Sequence, residues 1–397
     1  MSTPTLEKAQ LPAIDLSDDA LAAVSARLAE TAEHYDRTAE FPWEAINAVH
    51  EAGLLRYGVA ARYGGSTPTV TDTTRILQAL GTGDPSVALI AAMTIMMNVF
   101  QGEASWWPDD LYRQAVADSL ERPVLCNAVR AEPELGAPAR GGLPATKVTR
   151  TESGWLLNGH KGWGTGAEGL SYHLVWAATE DEEPLQGHVI VPGDDPGIEV
   201  VKTWDHLGMR ASSTHDIIYR NIEVPLENFK GTPLVPGSLT GGGPPRTGAV
   251  IPAVGLAISA LYVGVARAAQ EFFVRFANER VPTALGRPIA TTERIQSVAG
   301  EIEAQLIGAE EVIYGLAARA DAGDATAIKR APFAKLLATR NAITAVETAV
   351  AALGNAALTR SHPLERHLRD VLCSRPHPPQ DDAALIALGK QALAANG

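Results

Sequence analysis

The ten residues NGHKGWGTGA, Asn158 to Ala167, decide how the middle of this chain is read. Asn158-Gly159 is a turn dipeptide, and Gly164 and Gly166 flank Thr165. Trp163 and Thr165 are two residues apart, so on a strand they share one face. A tryptophan beside a hydroxyl can stack on a flat conjugated ring and hydrogen-bond its edge. The pair equally suits a tryptophan packed into a β core. Around this stretch, TESGWLL (151–157), SYHLVWAAT (171–179), GHVIVP (187–192) and HDIIYRNIEVP (215–225) alternate or run apolar over short spans. Turns at Ser153-Gly154 and Pro192-Gly193 separate them. The pattern predicts an antiparallel β domain over about 123–237, a barrel or sandwich rather than βαβ units.

The flanks change period. From about 14 to 122 the chain reads helical, with Ser17 as an N-cap and Leu21, Val24 and Leu28 on one face. FPWEAINAVHEAGLL (41–55) puts Trp43, Ile46, Val49 and Gly53 on one stripe. Asp84-Pro85 opens a very apolar helix that runs through MTIMMNVF (93–100). That segment could line an apolar pocket or be plain core. A Gly/Pro-rich connector, GTPLVPGSLTGGGPPRTG (231–248), marks a boundary or loop. From 249 to 397 the chain is helical again. Ile295, Ala299, Ile302, Leu306, Ala309, Ile313 and Leu316 step by three and four, the signature of a long bundle helix. A further helix stops near Gly354. The fold class is α+β: helices, a β domain, then a helical bundle.

Composition narrows the function classes. The 397 residues are 46% hydrophobic and 20% charged, which supplies a sizeable core and excludes wholesale disorder. A net charge of −13 gives no general pull toward nucleic acid or anionic membranes. Two cysteines, Cys126 and Cys373, make no disulfide framework. The start lacks a basic, apolar signal segment, so a cytoplasmic location is expected. AVIPAVGLAISALYVGVA (249–266) is uncharged and nearly long enough to span a bilayer, but its Gly, Ala and Pro content suits a buried helix better.

No GxGxxG, Walker loop or GxSxG elbow is present. His362, His367 and His377 have no familiar metal spacing, and no metal is expected. Arg210, in LGMRASSTHD (207–216), reads as part of a capped turn. Arg280, at a helix end before Pro282, can clamp a pyrophosphate or satisfy the helix dipole. His377 sits between prolines in LERHLRDVLCSRPHPPQDD (364–382), a rigid bend that can aim an imidazole into a cavity.

Taken together, FPWEAINAVHEAGLL…ARYGG, GTGDPSVAL, AEPELGAPARG, NGHKGWGTGA, LGMRASSTHDIIYRNIEVP, NER…GRPI…IQ and LGNAAL…LERHLRD resemble the acyl-CoA dehydrogenase superfamily over nearly the whole chain. The resemblance implies an N-terminal helical domain, a central β-barrel or sandwich and a C-terminal four-helix bundle. It implies a flavin, FAD with FMN as the other option, between the β domain and the bundle. Trp163 and Thr165 then lie beside the ring, and Arg280 and Gln296 reach the phosphate end across a subunit interface. Arg130, Ser213 and Gly354 are further cofactor-binding candidates. A homotetramer or homodimer is implied.

The departures from the family pattern carry the functional reading. Its dehydrogenases use a glutamate as α-proton base; here the two places for it hold Pro378 and Val254, and Gly255 stands where an arginine is usual. His377, eight residues after Arg369, and the EPELGAPARGG loop look like the oxygenase branch, which takes reduced flavin from a separate reductase and adds O2 at flavin C4a. That resemblance implies a monooxygenase acting on a small aromatic or heteroaromatic substrate, indole- or phenol-like. His377 would be its acid/base, with Ser374 and Asn127 as candidate hydrogen-bond partners. The alternatives are an acyl-CoA or acyl-carrier-protein dehydrogenase with FAD, using Asp381 or another base, and a flavin-binding scaffold without turnover.

Overall fold

Ser17 starts the first helix: its Oγ accepts from the Ala20 amide, and α1 (Asp18–Thr38) buries Leu21, Leu28, Ala32 and Tyr35. The computed structural model describes residues 10–135, 143–233 and 250–394, with side chains from 255 onward in the last segment. Most of the EPELGAPARGG segment (132–142) and of the 231–248 connector lies outside the described residues. In α2 (Trp43–Glu51), Ile46 and Val49 face the core, but Trp43 is 45% exposed and rests on the Phe41 ring. The expected stripe therefore lacks its first member. Helix α3 (Val70–Gly83) meets α4 (Pro85–Ala104) at Asp84, whose carboxylate accepts from the Ser86 and Val87 amides. Pro85 fills the first helical position, where no donor is needed.

Helix α4 is long and apolar enough to cross a membrane, yet most of it is buried inside the protein. Met96, Met97, Val99 and Phe100 pack with Tyr63, Trp107, Tyr112 and Tyr172. Asn98 fixes this face by bonding the carbonyls of Leu55 and Tyr57 and accepting from Tyr112, on α5 (Asp109–Asp118). The MTIMMNVF segment is thus core.

The middle of the chain forms one eight-stranded sheet: β1 (Cys126–Val129), β2 (Lys147–Arg150), β3 (Gly154–Gly164), β4 (Tyr172–Thr179), β5 (Leu185–Pro192), β6 (Ile198–Val201), β7 (His215–Pro225) and β8 (Phe229–Pro233). The order is β6-β7-β3-β2-β4-β5-β8, with β1 also on β4. The sheet is mixed rather than wholly antiparallel. Strand β1 pairs parallel with Tyr172–Val175, and β2 pairs parallel with Ala178 and Thr179. The two short strands lie end to end along one edge of β4, like one strand interrupted by 130–146. Hydrophobic alternation reports which face is buried but not which way a neighbour runs.

Three long helices build the C-terminal part: α6 (Val250–Glu279), α7 (Glu293–Asp321) and α8 (Ala325–Leu353). Ile295, Ile302, Leu306, Ala309 and Ile313 are buried along α7 as their spacing predicts. The apolar 249–266 stretch forms the first half of α6, and Leu256 to Ala266 is almost wholly buried, Gly264 included. Gly354 stops α8 with φ +57 and precedes α9 (Asn355–Leu358). Short α10 (Leu364–Leu372) lies on α6 and α8, and α11 (Asp381–Ala394) lies on α8.

Candidate functional site

On the sheet side, the alternation of β3 breaks before it reaches the expected pair. Its pairing with β7 slips between Lys161 and Gly164, and Trp163 takes a left-handed backbone, φ +54. Trp163 is 51% exposed, whereas Thr165, just past the strand, is buried. The expected common face is replaced by a bulge that turns the indole outward. Thr165 instead joins a buried polar group. Its Oγ1 lies 3.1 Å from Thr214 Oγ1, and its carbonyl accepts from Asn127 Nδ2 at 3.0 Å. Trp163 and Thr214 line a cavity of about 230 Å³ with Trp204 and His206, whose rings stack at 3.7 Å.

Two other candidates in this domain are engaged by the protein itself. The Arg130 guanidinium lies over the Trp176 ring, 5.1 Å from its centre. Ser213 Oγ accepts from the Glu168 amide and donates to the Glu168 carboxylate.

The loop carrying Leu207 to Thr214 locks the sheet to the bundle. The Met209 amide donates to Asp370 Oδ1 at 2.6 Å, and Arg210 Nε donates to the Asp36 carbonyl. Arg210 therefore keeps the turn role read from the sequence. A Cβ on Gly208 would lie 2.4 Å from the Arg369 carbonyl oxygen, so only glycine allows this approach. Burial pushes the Asp370 carboxyl up to about 7, against the Met209 amide and Arg366.

On the bundle side, His377 Nδ1 lies 2.9 Å from the Tyr262 hydroxyl, which is 3.2 Å from Met209 Sδ. One phenolic proton cannot serve both contacts. Both are filled when Nδ1–H donates to Tyr262 and Tyr262 donates to Met209, which leaves His377 Nε2 with a free lone pair. Burial, with the Lys335 ammonium acting in the same sense, pushes the imidazole down to about 4. His377 is thus neutral at physiological pH and can accept a proton. Ser374 Oγ, three residues earlier, is fully buried and without a hydrogen-bond partner.

Asp381 and Asp382 are occupied elsewhere. Asp381 accepts from Arg340 Nε at 2.9 Å and lies 3.8 Å from Lys335 Nζ; Asp382 accepts from the Ala383 amide at the start of α11. The side chain of Val254 lies outside the described residues.

A separate cavity of about 530 Å³ opens at the far end of α6. Arg280, Arg294 and Asn355 line it, with Phe276 and Leu353 as apolar wall. Gly354 lies between two of its lining residues. Gln296 is exposed, and its Nε2 donates to the Ala290 carbonyl.

The structure brings the predicted residues into three groups: Asn127, Thr165 and Trp163 on the sheet; Ser374 and His377 on the bundle; Arg280 and Gly354 at its far end. Sequence reading missed Tyr262, Met209 and Lys335. The signal for Tyr262 was its phenol inside an uncharged 18-residue run, and for Lys335 a charge on the core face of an alanine-rich helix.

Comparison with known proteins agrees along the chain. Residues 14–102, 128–222 and 256–378 match the N-terminal, middle and C-terminal domains of acyl-CoA dehydrogenase, in that order. The protein belongs to the acyl-CoA dehydrogenase family, and as such it is a flavoprotein oxidoreductase. It is 32% identical to the putative acyl-CoA dehydrogenase YdbM of Bacillus subtilis, over 92% of this chain and 93% of that protein. It is similar to KijD3 solved with FMN and dTDP-3-amino-2,3,6-trideoxy-4-keto-3-methyl-D-glucose (26% identity, TM-score 0.78, covering 95% of this chain and 92% of that one). It shares its fold with TdsC from Paenibacillus sp. A11-2 solved with FMN and indole (20% identity, TM-score 0.81, covering 95% and 96%).

The residues present fit a flavin. The half-exposed Trp163 indole beside a cavity can cover a planar ring, and the guanidinium groups of Arg280 and Arg294 suit phosphate.

Proposed function

We propose that this protein is a flavin-dependent monooxygenase that hydroxylates a small aromatic or heteroaromatic substrate, using reduced flavin delivered by a separate reductase and O2. The observation that carries this reading is the Tyr262–His377 pair, at 2.9 Å, beside the position where a dehydrogenase keeps its carboxylate and this chain has Pro378. A neutral imidazole offers Nε2 as acceptor to a phenol O–H or indole N–H, and negative charge developing on the substrate beside it raises its proton affinity. The fold likeness to TdsC, solved with FMN and indole, is in keeping with such a substrate.

In this mechanism the bound reduced flavin supplies the reaction with O2 and the oxygen transfer. The chain supplies the rest. Tyr262 and Met209 fix the imidazole tautomer so that Nε2 faces the substrate unprotonated. Nε2 takes the substrate's proton as the ring becomes nucleophilic. Ser374 Oγ is a hydrogen-bond partner for the substrate on the bundle side, and Asn127, whose Nδ2 is bonded to the Thr165 carbonyl, acts from the sheet side. Trp163 would cover the flavin ring, Thr165 and Thr214 would offer hydroxyls to it, and Arg280 would hold phosphate, which favours FAD over FMN. Ser213, Gly354, Gln296 and Arg130 shape the flavin's surroundings. The working form is a homodimer or homotetramer in the cytoplasm.

The test mixes protein holding reduced FAD with oxygenated buffer and follows flavin absorbance. A delayed return of oxidised flavin, with an indole or phenol hydroxylated in step, is the expected result. Immediate reoxidation with stoichiometric hydrogen peroxide, with and without aromatic substrates, would overturn it. The similarity to YdbM favours a second reading, acyl-CoA dehydrogenation. It requires oxidised flavin to bleach when an acyl thioester is added.

A further inference from the structure

Lys335 is the one fully buried lysine, among the described residues, whose ammonium has no hydrogen bond. It stands on the core side of α8. Helix α6 meets α8 at Gly255, where a Cβ would lie 3.3 Å from the Ala331 carbonyl oxygen. Lys335 is one turn further along α8, and Tyr262 two turns further along α6. The nearest carboxylate oxygen, Asp381 Oδ1, is 3.8 Å away, too far for a hydrogen bond, and Asp381 is already bonded to Arg340. Three ammonium donors are therefore buried and unused, and the buried Ser374 hydroxyl has no partner either. Folded proteins rarely leave such groups empty: an ordered water, an ion or a ligand fills them, and a cation next to a candidate base suits a ligand's anionic oxygen.

We propose that Lys335 is a substrate-binding cation that holds the anionic oxygen of a phenol-class substrate beside His377. The inference rests on the reading above that this space takes a small aromatic molecule. The step is a proton transfer. The phenolic O–H bond breaks, an N–H bond forms at His377 Nε2, and the oxygen keeps the electron pair and pairs with Lys335 Nζ. Ser374 Oγ is a second donor to the same oxygen. The charged and titratable groups facing this cluster are Asp381 from α11, Arg340 from α8, Asp370 and Cys373 from the α10 end, and Tyr262 from α6. Asp381 opposes an anion, but Arg340 neutralises it.

The probe is 4-nitrophenol, whose anion is coloured, with nitrobenzene as its neutral shape match. Binding is measured by difference absorbance against protein holding oxidised FAD, because reduced flavin would pass electrons to the nitro group of either probe. The wild type is expected to bind the phenolate about tenfold or more tightly than nitrobenzene, and bound 4-nitrophenol to ionise at lower pH than the free probe. Lys335→Met should remove both effects, and Lys335→Arg should retain most of each. Equal binding of nitrophenolate and nitrobenzene by the wild type would overturn the proposal without any variant. So would a Lys335→Met protein, folded by circular dichroism, that keeps the preference. Oxygen chemistry is scored separately. A Lys335-dependent preference without hydroxylation supports this inference and fails the monooxygenase reading, and hydroxylation without the preference does the reverse.

Discussion

Among the described residues two lysines are completely buried, and they are buried in different ways. Lys161, on β3, has its ammonium 2.7 Å from Glu132 Oε1 and 5.6 Å from the centre of the Trp176 ring. Glu132 also accepts from the amides of Ala145 and Thr146 and from the Thr146 hydroxyl. That carboxylate closes the gap between β1 and β2, where the chain leaves the edge of β4 and returns. Lys335, on α8, has no hydrogen bond, only a long ion pair at 3.8 Å to Asp381, which Arg340 already holds. Both ammonium groups lose proton affinity, burial being the first cause in each, and Lys161 is brought down to about 8. The first is a completed structural joint. The second is an incomplete one, placed beside the candidate base. A buried charge marks function by its missing partners, not by its burial.

The largest expected effect breaks the completed joint. Lys161→Met leaves Glu132 buried and unpaired, and should cost about 3–5 kcal/mol of stability in chemical denaturation. The double variant Lys161→Met/Glu132→Gln, which removes the orphaned charge but keeps an acceptor for the Ala145 and Thr146 donors, should recover much of that loss. If Lys161→Met were as harmless as a surface change, the contrast between the two lysines would collapse.

On the other side, His377→Gln should leave stability nearly intact while cutting product formed per flavin reoxidised. Removing a positioned base costs about 10²–10⁴-fold. The measurement is oxygen consumed against hydroxylated product. Full coupling retained in His377→Gln would remove the imidazole from the mechanism.

Much of the fold was legible because it depends on periodicity. Steps of three and four gave α7, Ser17 and Asp84 gave caps, and short alternating runs gave the strands. The site was legible only in part. His377 was found because its place after Arg369-Asp370 is local in sequence. Tyr262 and Lys335 were not, because they meet it across three helices, and no spacing within one helix encodes that meeting. Trp163 was misplaced on a common face with Thr165, because a bulge with a left-handed residue interrupts a pattern that strands otherwise obey. The parallel pairings of β1 and β2 were hidden for a related reason, since partner direction is set by the chain's path and not by the strand's own residues.

The link between the two regions has its own test. Gly208→Ala forces a methyl into the Arg369 carbonyl, at 2.4 Å, and the loop must shift. A cost of about 1–3 kcal/mol is expected, as for other overpacked sites. Because Met209 touches both Asp370 and Tyr262, the shift should also disturb His377, read as a changed imidazole resonance in NMR spectra. The Lys161–Glu132 joint should keep its resonances.

The smallest effect is a slope. Burial foremost pushes His173, His367 and His377 down to about 4, 3 and 4. Each binds a proton more readily in the unfolded chain. The stability they contribute is complete above about pH 6.5 and is lost as pH falls toward those folded values. Asp370, pushed up to about 7, works in the opposite sense: it holds its proton in the fold, and its contribution is lost as pH rises through about 7. Burial also lowers His50, His206 and His215 and raises Asp84, so six histidines against two aspartates leave stability rising with pH between about 4 and 6.5. Removing one histidine should flatten that rise by roughly 1 kcal/mol per pH unit. Denaturation midpoints of His377→Gln against wild type across this window measure it. An unchanged slope would mean that His377 titrates like a solvated imidazole, and the contrast between a closed joint and a poised base would then lose its second half.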